Sequence, residues 1–316
     1  LVNTATCLAE DNSTEAAARY QAAFEIRPEW EITGNLNHEY GLTLVMAGEP
    51  AAARQVFEKR LSAASANERG GARRSLGQLA VFGGEFDLAG EHFESAALLH
   101  QDIPESAGRD LVFWALAEIA RGEDSRAVDL LAKADGLVPR TEGWIWLRSI
   151  IGLGYLAAGE IQGAQSVLDQ LESRLADGDL ADHDSLRRRE ILAACLTAAT
   201  GDQIASLKSL EAMRQVEKRN NAFLAWALSE VHLAAGNWDE AESALGELIE
   251  LRWVFYETLV PWIRAHYQLG QVLDQLGRPE EAEASFASFL EIWGESDSTV
   301  AEVDSARKRL AQERPD

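Results

Sequence analysis

The chain has 316 residues, 52 of them Asp or Glu and 29 Lys or Arg, for a net charge of −23. A field of that sign repels phosphate backbones and anionic membrane surfaces, and it suits solubility or a basic partner. Apolar residues at 47% and charged residues at 26% describe an ordinary soluble domain, but the length exceeds what one compact core usually organises.

In chain order, residues 1–30 read as part of a helix pair: a helix from Leu1 to about Glu10, a break at Asp11, then a second helix carrying Ala16 and Tyr20. Seven full pairs follow over residues 34–293. Their breaks fall at Gly48, Gly84, Gly122, Gly159, Gly201, Gly236 and Gly277, spaced 36, 38, 37, 42, 35 and 41 residues apart. Seven residues before each glycine stands a small residue: Gly41, Gly77, Ala115, Gly152, Ala194, Ser229 or Gly270. Five after it is Ala53, Ala89, Ala127, Ala164, Ser206, Ala241 or Ala282, and nine after it Phe57, Phe93, Leu131, Leu168, Leu210, Leu245 or Phe286. The small residues predict close helix contact, the glycine a left-handed end to the first helix, and the large residue a return to the core. Such units bury their apolar faces only by stacking on neighbours, which predicts an all-α helical solenoid. The apolar run 145–161 is interrupted by Arg148 and carries three glycines, so it predicts a buried first helix instead of a membrane span. After the last pair, Thr299 and Glu302 have capping-box spacing and open a polar helix within residues 297–313 that covers the stack.

These positions resemble the tetratricopeptide repeat (TPR) family, most clearly at Leu269-Gly270, Leu273, Gly277, Ala282 and Phe286. The family's first-helix Trp is absent, its closing Pro is mostly missing, and the periods are longer than usual, which implies longer turns between units. Pro28 stands where that closing Pro belongs, so residues 1–30 read as a partial first repeat of a longer polypeptide. The uncovered start, with Leu1, Val2 and Leu8, predicts contact with a missing segment or with a second copy. The terminal unit also resembles repeat regions attached to bacterial signalling kinases, transcription regulators and multihaem cytochromes.

The sequence carries no catalytic constellation, metal-ligand spacing or cofactor motif. His38, His92, His100, His183, His232 and His266 show no metal-ligand spacing and read as surface or partly packed side chains. Cys7 and Cys195 lie in distant repeats and are not expected to pair, which leaves the compartment, cytoplasmic or periplasmic, undetermined. Gly152-Leu153-Gly154 lacks the Lys-Ser/Thr of a phosphate loop, and Glu280-Glu281 reads as a solvated face. The cluster Arg187-Arg188-Arg189 reads as a helix start, so no nucleic-acid partner is expected.

In the TPR family, first helices line the concave groove through side chains thirteen, ten, six and three residues before the break. The resemblance therefore implies a groove containing Arg74, Gln78, Arg109, Trp146, Ser149, Arg188, Phe223, Trp226, Glu230, Arg264, Tyr267, Gln271 and Asp274. Arginines and aromatics are the side chains that anchor interfaces. Four arginines predict a positive patch for an acidic or C-terminal carboxylate segment, against the competing reading that they pair with acidic residues of adjacent repeats. The Lys-then-Asn pattern by which one subtype grips chaperone tails is replaced here by His38/Leu42, Arg74/Gln78 and Trp226/Glu230. A second surface is Leu251-Arg252-Trp253-Val254-Phe255-Tyr256 with Trp262, exposed as a partner site or buried between units. The expectation is a non-enzymatic protein-interaction scaffold. The alternative is the sensing or assembly arm of an enzyme or complex whose catalytic part precedes Leu1.

Overall fold

The computed structural model describes residues 12–176, 183–216, 221–251 and 257–312, and among these it contains sixteen α-helices and no β-strand. Helix α1 (Ser13–Ile26) is followed by seven antiparallel pairs. These are α2 (Leu36–Met46) with α3 (Pro50–Arg60), α4 (Ala66–Phe82) with α5 (Phe86–Leu99), and α6 (Pro104–Ala120) with α7 (Asp124–Leu137). Next come α8 (Ile145–Ala157) with α9 (Ile161–Ala176), and α10 (His183–Ala199) with α11 (Gln203–Val216). The last pairs are α12 (Ala222–Ala235) with α13 (Trp238–Glu250) and α14 (Leu259–Gln275) with α15 (Pro279–Trp293), after which α16 (Ala301–Gln312) closes the stack. The expected first helix up to Glu10, its break at Asp11 and the apolar positions Leu1, Val2 and Leu8 lie outside the described residues.

The break inside every pair is the same device. Gly48 has φ of +82° and Gly277 +73°, and the other five glycines share that left-handed conformation. The amide after each glycine then reaches back to close the first helix: Glu49 N–H donates to Leu44 O at 2.8 Å, and Arg278 N–H to Leu273 O at 2.9 Å. This is the Schellman arrangement, which satisfies carbonyls that the helix end would leave open. The same residue starts the next helix, Glu49 O accepting from Ala53 N–H at 3.1 Å. One short turn thus serves as both C-cap and N-cap, and that fixes the angle between paired helices.

Volume is matched across the pair. A methyl group added to Gly41 would lie 2.1 Å from the Phe57 ring, and one on Gly77 or Gly270 would meet Phe93 at 2.6 Å or Phe286 at 2.8 Å. Where the second helix returns Leu131, Leu210 or Leu245, the first helix carries Ala115, Ala194 or Ser229 instead. Gly152 departs from this rule, because the side chain that crowds it is Leu192 of the following unit. The residues five after each break, from Ala53 to Ala282, are fully buried or nearly so. Burying each large side chain contributes about 1.5–3 kcal/mol, spread evenly along the stack.

The superhelix curls until its last unit meets its early ones. Helix α14 packs on α4 and α6. Trp293, fully buried, donates its indole N–H to Val81 O at 2.9 Å and lies edge-on to Phe86. Asp297 N–H donates to Gly84 O at 3.1 Å, and the Asp297 carboxylate accepts from Phe86 N–H at 2.8 Å and Asp87 N–H at 3.0 Å. Helix α5 is therefore capped by a residue more than two hundred positions downstream. Helix α16 buries Val303 and Ala306, while Arg309 forms paired 2.7 Å contacts with Asp274. No described helix is long and apolar enough to cross a membrane.

Candidate partner-binding channel

Curling of the stack turns the first helices inward, and between them lies a cavity of about 520 Å³. Its walls come from α6, α8, α10, α12, α14 and α16. The lining is mostly apolar, with Leu116, Ile119, Leu153, Leu156, Phe223 and Val260 among its surfaces. Polar groups converge on it from one side, where Glu230, Glu257, Arg264, Gln268, Gln271 and Glu302 stand around Trp226 and Tyr267.

Of the residues expected in the groove, Phe223, Trp226, Glu230, Arg264, Tyr267 and Gln271 come together here. Arg264 spans the channel. Its Nη2 lies 2.8 Å from the Glu302 carboxylate and donates at 3.3 Å to Ile119 O and Ala120 O, carbonyls in the last turn of α6. Tyr267 Oη donates to Ser305 Oγ at 3.0 Å and accepts from Gln271 Nε2 at 3.1 Å. Arg188 borders the cavity, stacked 4.5 Å over the Phe223 ring with Nη1 3.3 Å from Glu257. Burial pushes the Glu257 carboxyl above the usual carboxylate range, and the positive charge of Arg188 pulls the other way.

The remaining candidates lie elsewhere. Arg74 is buried, with Nε 2.5 Å from Asp110 Oδ1 and Nη2 donating to Ser106 O at 3.3 Å. His100 joins that cluster, its Nδ1 2.6 Å from Asp110 Oδ2 and its Nε2 3.1 Å from Asn67 O. Arg109 lines a separate polar cavity of about 220 Å³ with His38, Arg60, Arg74 and His100. Gln78 is buried, and neither of its amide atoms has a hydrogen-bond partner among the described residues. Ser149 turns its hydroxyl back to Ile145 O at 3.0 Å, and Trp146 stacks on Trp144. Asp274 is held by Arg309. The competing reading holds for Arg74, Arg188 and Arg264 in that each guanidinium meets a carboxylate of a neighbouring element, although Arg264 Nε keeps no hydrogen-bond partner among the described residues.

Four histidines read from the sequence as surface or partly packed, His38, His92, His100 and His232, are buried. His38 sits with Nδ1 2.8 Å from Ser75 Oγ. Desolvation, then the charges of Arg60, Arg74 and Arg109, lower its pKa to about 3. Cys195 lines the channel, and burial with a smaller contribution from Glu230 pushes its thiol up to about 12. Trp262 is half-buried and donates from its indole nitrogen to Ile249 O at 3.2 Å, while Arg252 to Tyr256, including Trp253, lie outside the described residues.

Several further channel residues share the repeat register of the expected groove positions. Leu116, Ile119, Leu153, Leu156, Cys195 and Ala198 occupy the same positions, six and three before the break, that pointed to Glu230 and Gln271. Being aliphatic or small, they carry no polar or aromatic signal that sets them apart from core positions. Glu257 and Glu302 follow no repeat register, because one lies between pairs and the other on the closing helix.

Two family models, each described as a tetratricopeptide repeat, match residues 263–292 and 222–247. No curated protein matches the sequence. Among solved structures, the human IFIT1 dimer with m7Gppp-AAAA aligns at a TM-score of 0.53 and 14% identity, covering 98% of this chain and 71% of that one. A tetratricopeptide repeat protein from Parabacteroides merdae aligns at 0.50 and 14%, covering 87% of this chain and 96% of that one. A chain of the APC/C hetero-tetramer Cut9-Hcn1 aligns at 0.48 and 13%, covering 96% of this chain, which spans about half (53%) of its length. Identities this low speak to the fold alone. The last two units thus match tetratricopeptide repeats in sequence, and the helix stack as a whole has the fold of a tetratricopeptide-repeat solenoid, a fold typical of scaffolds for protein contacts.

Proposed function

We propose that the chain is a protein-interaction scaffold whose central channel, and not its arginine positions, receives a segment of a partner protein. The observation that supports this is the cavity of about 520 Å³, apolar along α6 and α8 and polar along α14 and α16. Volumes of that size accommodate a few large side chains, and an apolar wall with a few placed polar groups is how binding sites combine affinity with orientation. The arginines serve the solenoid itself: Arg74 ties α4 to α6, Arg188 ties α10 to the segment before α14, and Arg264 ties α14 to α6 and α16. IFIT1 was solved with m7Gppp-AAAA, but a chain of net charge −23 with carboxylates around its channel is poorly suited to a polyphosphate.

The test is selection of binders from a random peptide display library, followed by affinity measurement against the wild type and Ala198→Phe. Ala198 lines the cavity without being buried in the core, so a phenyl ring there occupies the channel while the stack stays folded by circular dichroism. Selected peptides should lose at least about tenfold in affinity for the filled channel, the penalty expected when an apolar anchor is excluded from its pocket. Peptides that bind both proteins equally would place the interaction elsewhere on the solenoid.

A further inference from the structure

We propose that the guest of this channel is an apolar peptide segment carrying a basic side chain, whose ammonium or guanidinium group seats against Glu230 beside the Trp226 ring. The inference rests on the channel being the binding site, and it specifies the chemistry of what enters.

Among the described residues, three carboxylates line the cavity, Glu230, Glu257 and Glu302, against one guanidinium, that of Arg264. Glu302 is met by Arg264 at 2.8 Å, and Glu257 by Arg188 at 3.3 Å from behind the Phe223 ring. Glu230 has no ion-pair partner among the described residues. Its two hydrogen bonds come from neutral groups, the Trp226 indole N–H at 3.2 Å and the Gln268 amide at 2.9 Å, and both fall on Oε1. These donors orient the carboxylate and leave its charge uncompensated. Next to it are the rings of Trp226 and Phe223, edge-on to each other with centroids 6.4 Å apart. An aromatic face beside a fixed carboxylate is a cation-binding arrangement, since the ring's negative face and the anion attract the same charge. The apolar floor opposite, formed by Leu116, Ile119 and Leu153, receives the aliphatic stem and the neighbouring side chains. The surrounding field agrees: a chain of net charge −23 draws a basic segment toward it and slows an acidic one.

The experiment uses the same random peptide display library, selected in parallel on the wild type, Glu230→Gln and Glu230→Gln/Glu257→Gln. Peptides selected on the wild type should be enriched in Lys or Arg next to aliphatic or aromatic residues. Their affinity should fall about tenfold or more on Glu230→Gln, the scale of one charge-assisted contact. Replacing the peptide's basic residue with Gln should cost the same on the wild type and nothing further on the variant. Glu230→Gln alone suffices if the double variant fails to fold, because Glu230 is exposed and, among the described residues, is met only by neutral donors. Channel-dependent binders, lost on Ala198→Phe, that carry no basic residue or prefer acidic ones would overturn this inference while leaving the channel as the site. If no selected peptide depends on the channel at all, both readings fall together.

Discussion

Asp297 offers the sharpest test of how this solenoid is closed. Its carboxylate accepts from Phe86 N–H at 2.8 Å and Asp87 N–H at 3.0 Å, two of the donors that the start of α5 cannot satisfy internally. Asp297→Ala removes both acceptors. Asp87 is exposed, so water replaces its bond at little cost, whereas Phe86 is 2% exposed and its N–H keeps no such substitute. The loss is therefore that of one good N-cap, about 1–2 kcal/mol. The ring should stay closed, because Asp297 N–H still reaches Gly84 O and Trp293 still fills its site against Phe86. Trp293→Ala is the contrasting case: it empties a fully buried indole site and removes the bond to Val81 O, for about 3–5 kcal/mol and an opened ring. Solenoids can unfold in graded steps, so a single denaturation midpoint is a poor readout. Amide hydrogen exchange at Phe86 and Asp87, with small-angle scattering for overall dimensions, separates the two variants. Asp297→Ala should speed exchange at those amides with unchanged dimensions, and Trp293→Ala should do both. Unchanged protection of Phe86 in Asp297→Ala would refute the capping argument, and unchanged dimensions in Trp293→Ala would refute the closure.

Gly77→Ala places a methyl group 2.6 Å from the Phe93 ring and should destabilise by about 1–3 kcal/mol in chemical denaturation. Adding Phe93→Leu should recover most of that loss, since it recreates the Ala/Leu combination at Ala115 and Leu131; a double variant no better than Gly77→Ala would show that the two positions are not a packing pair. Arg74→Ala leaves Asp110, wholly buried, with only His100 beside it, and should cost about 3 kcal/mol while channel-dependent peptides bind the folded fraction unchanged. A stable Arg74→Ala protein with weakened peptide binding would return Arg74 to the binding site.

The register that sequence reveals is local. Gly48, Ala53 and Phe57 recur because each pair must cap, approach and refill its core by itself, and those demands act over fewer than twenty residues. Gly41 opposite Phe57 is readable for the same reason, as is the inward face of every first helix, so Trp226, Glu230, Tyr267 and Gln271 could be placed in the groove before any coordinates. The role of the arginines could not. Arg74 and Asp110 are separated by a full unit, and Arg264 reaches the α6 carbonyls from 144 and 145 residues away. Such contacts depend on the rotation accumulated from unit to unit, and the unequal spacings of 35 to 42 residues make that rotation vary with turns that carry no repeat signal. By itself the sequence determined the helix pairs, their caps and the faces they turn inward, because backbone capping and side-chain volume act between near neighbours. Only the tertiary structure decided that α14 returns to α4 and α6, that Asp297 caps α5, and that Glu230 alone among the channel carboxylates lacks a described cationic partner. Those outcomes follow from summed small rotations, which bring together residues that no local pattern relates.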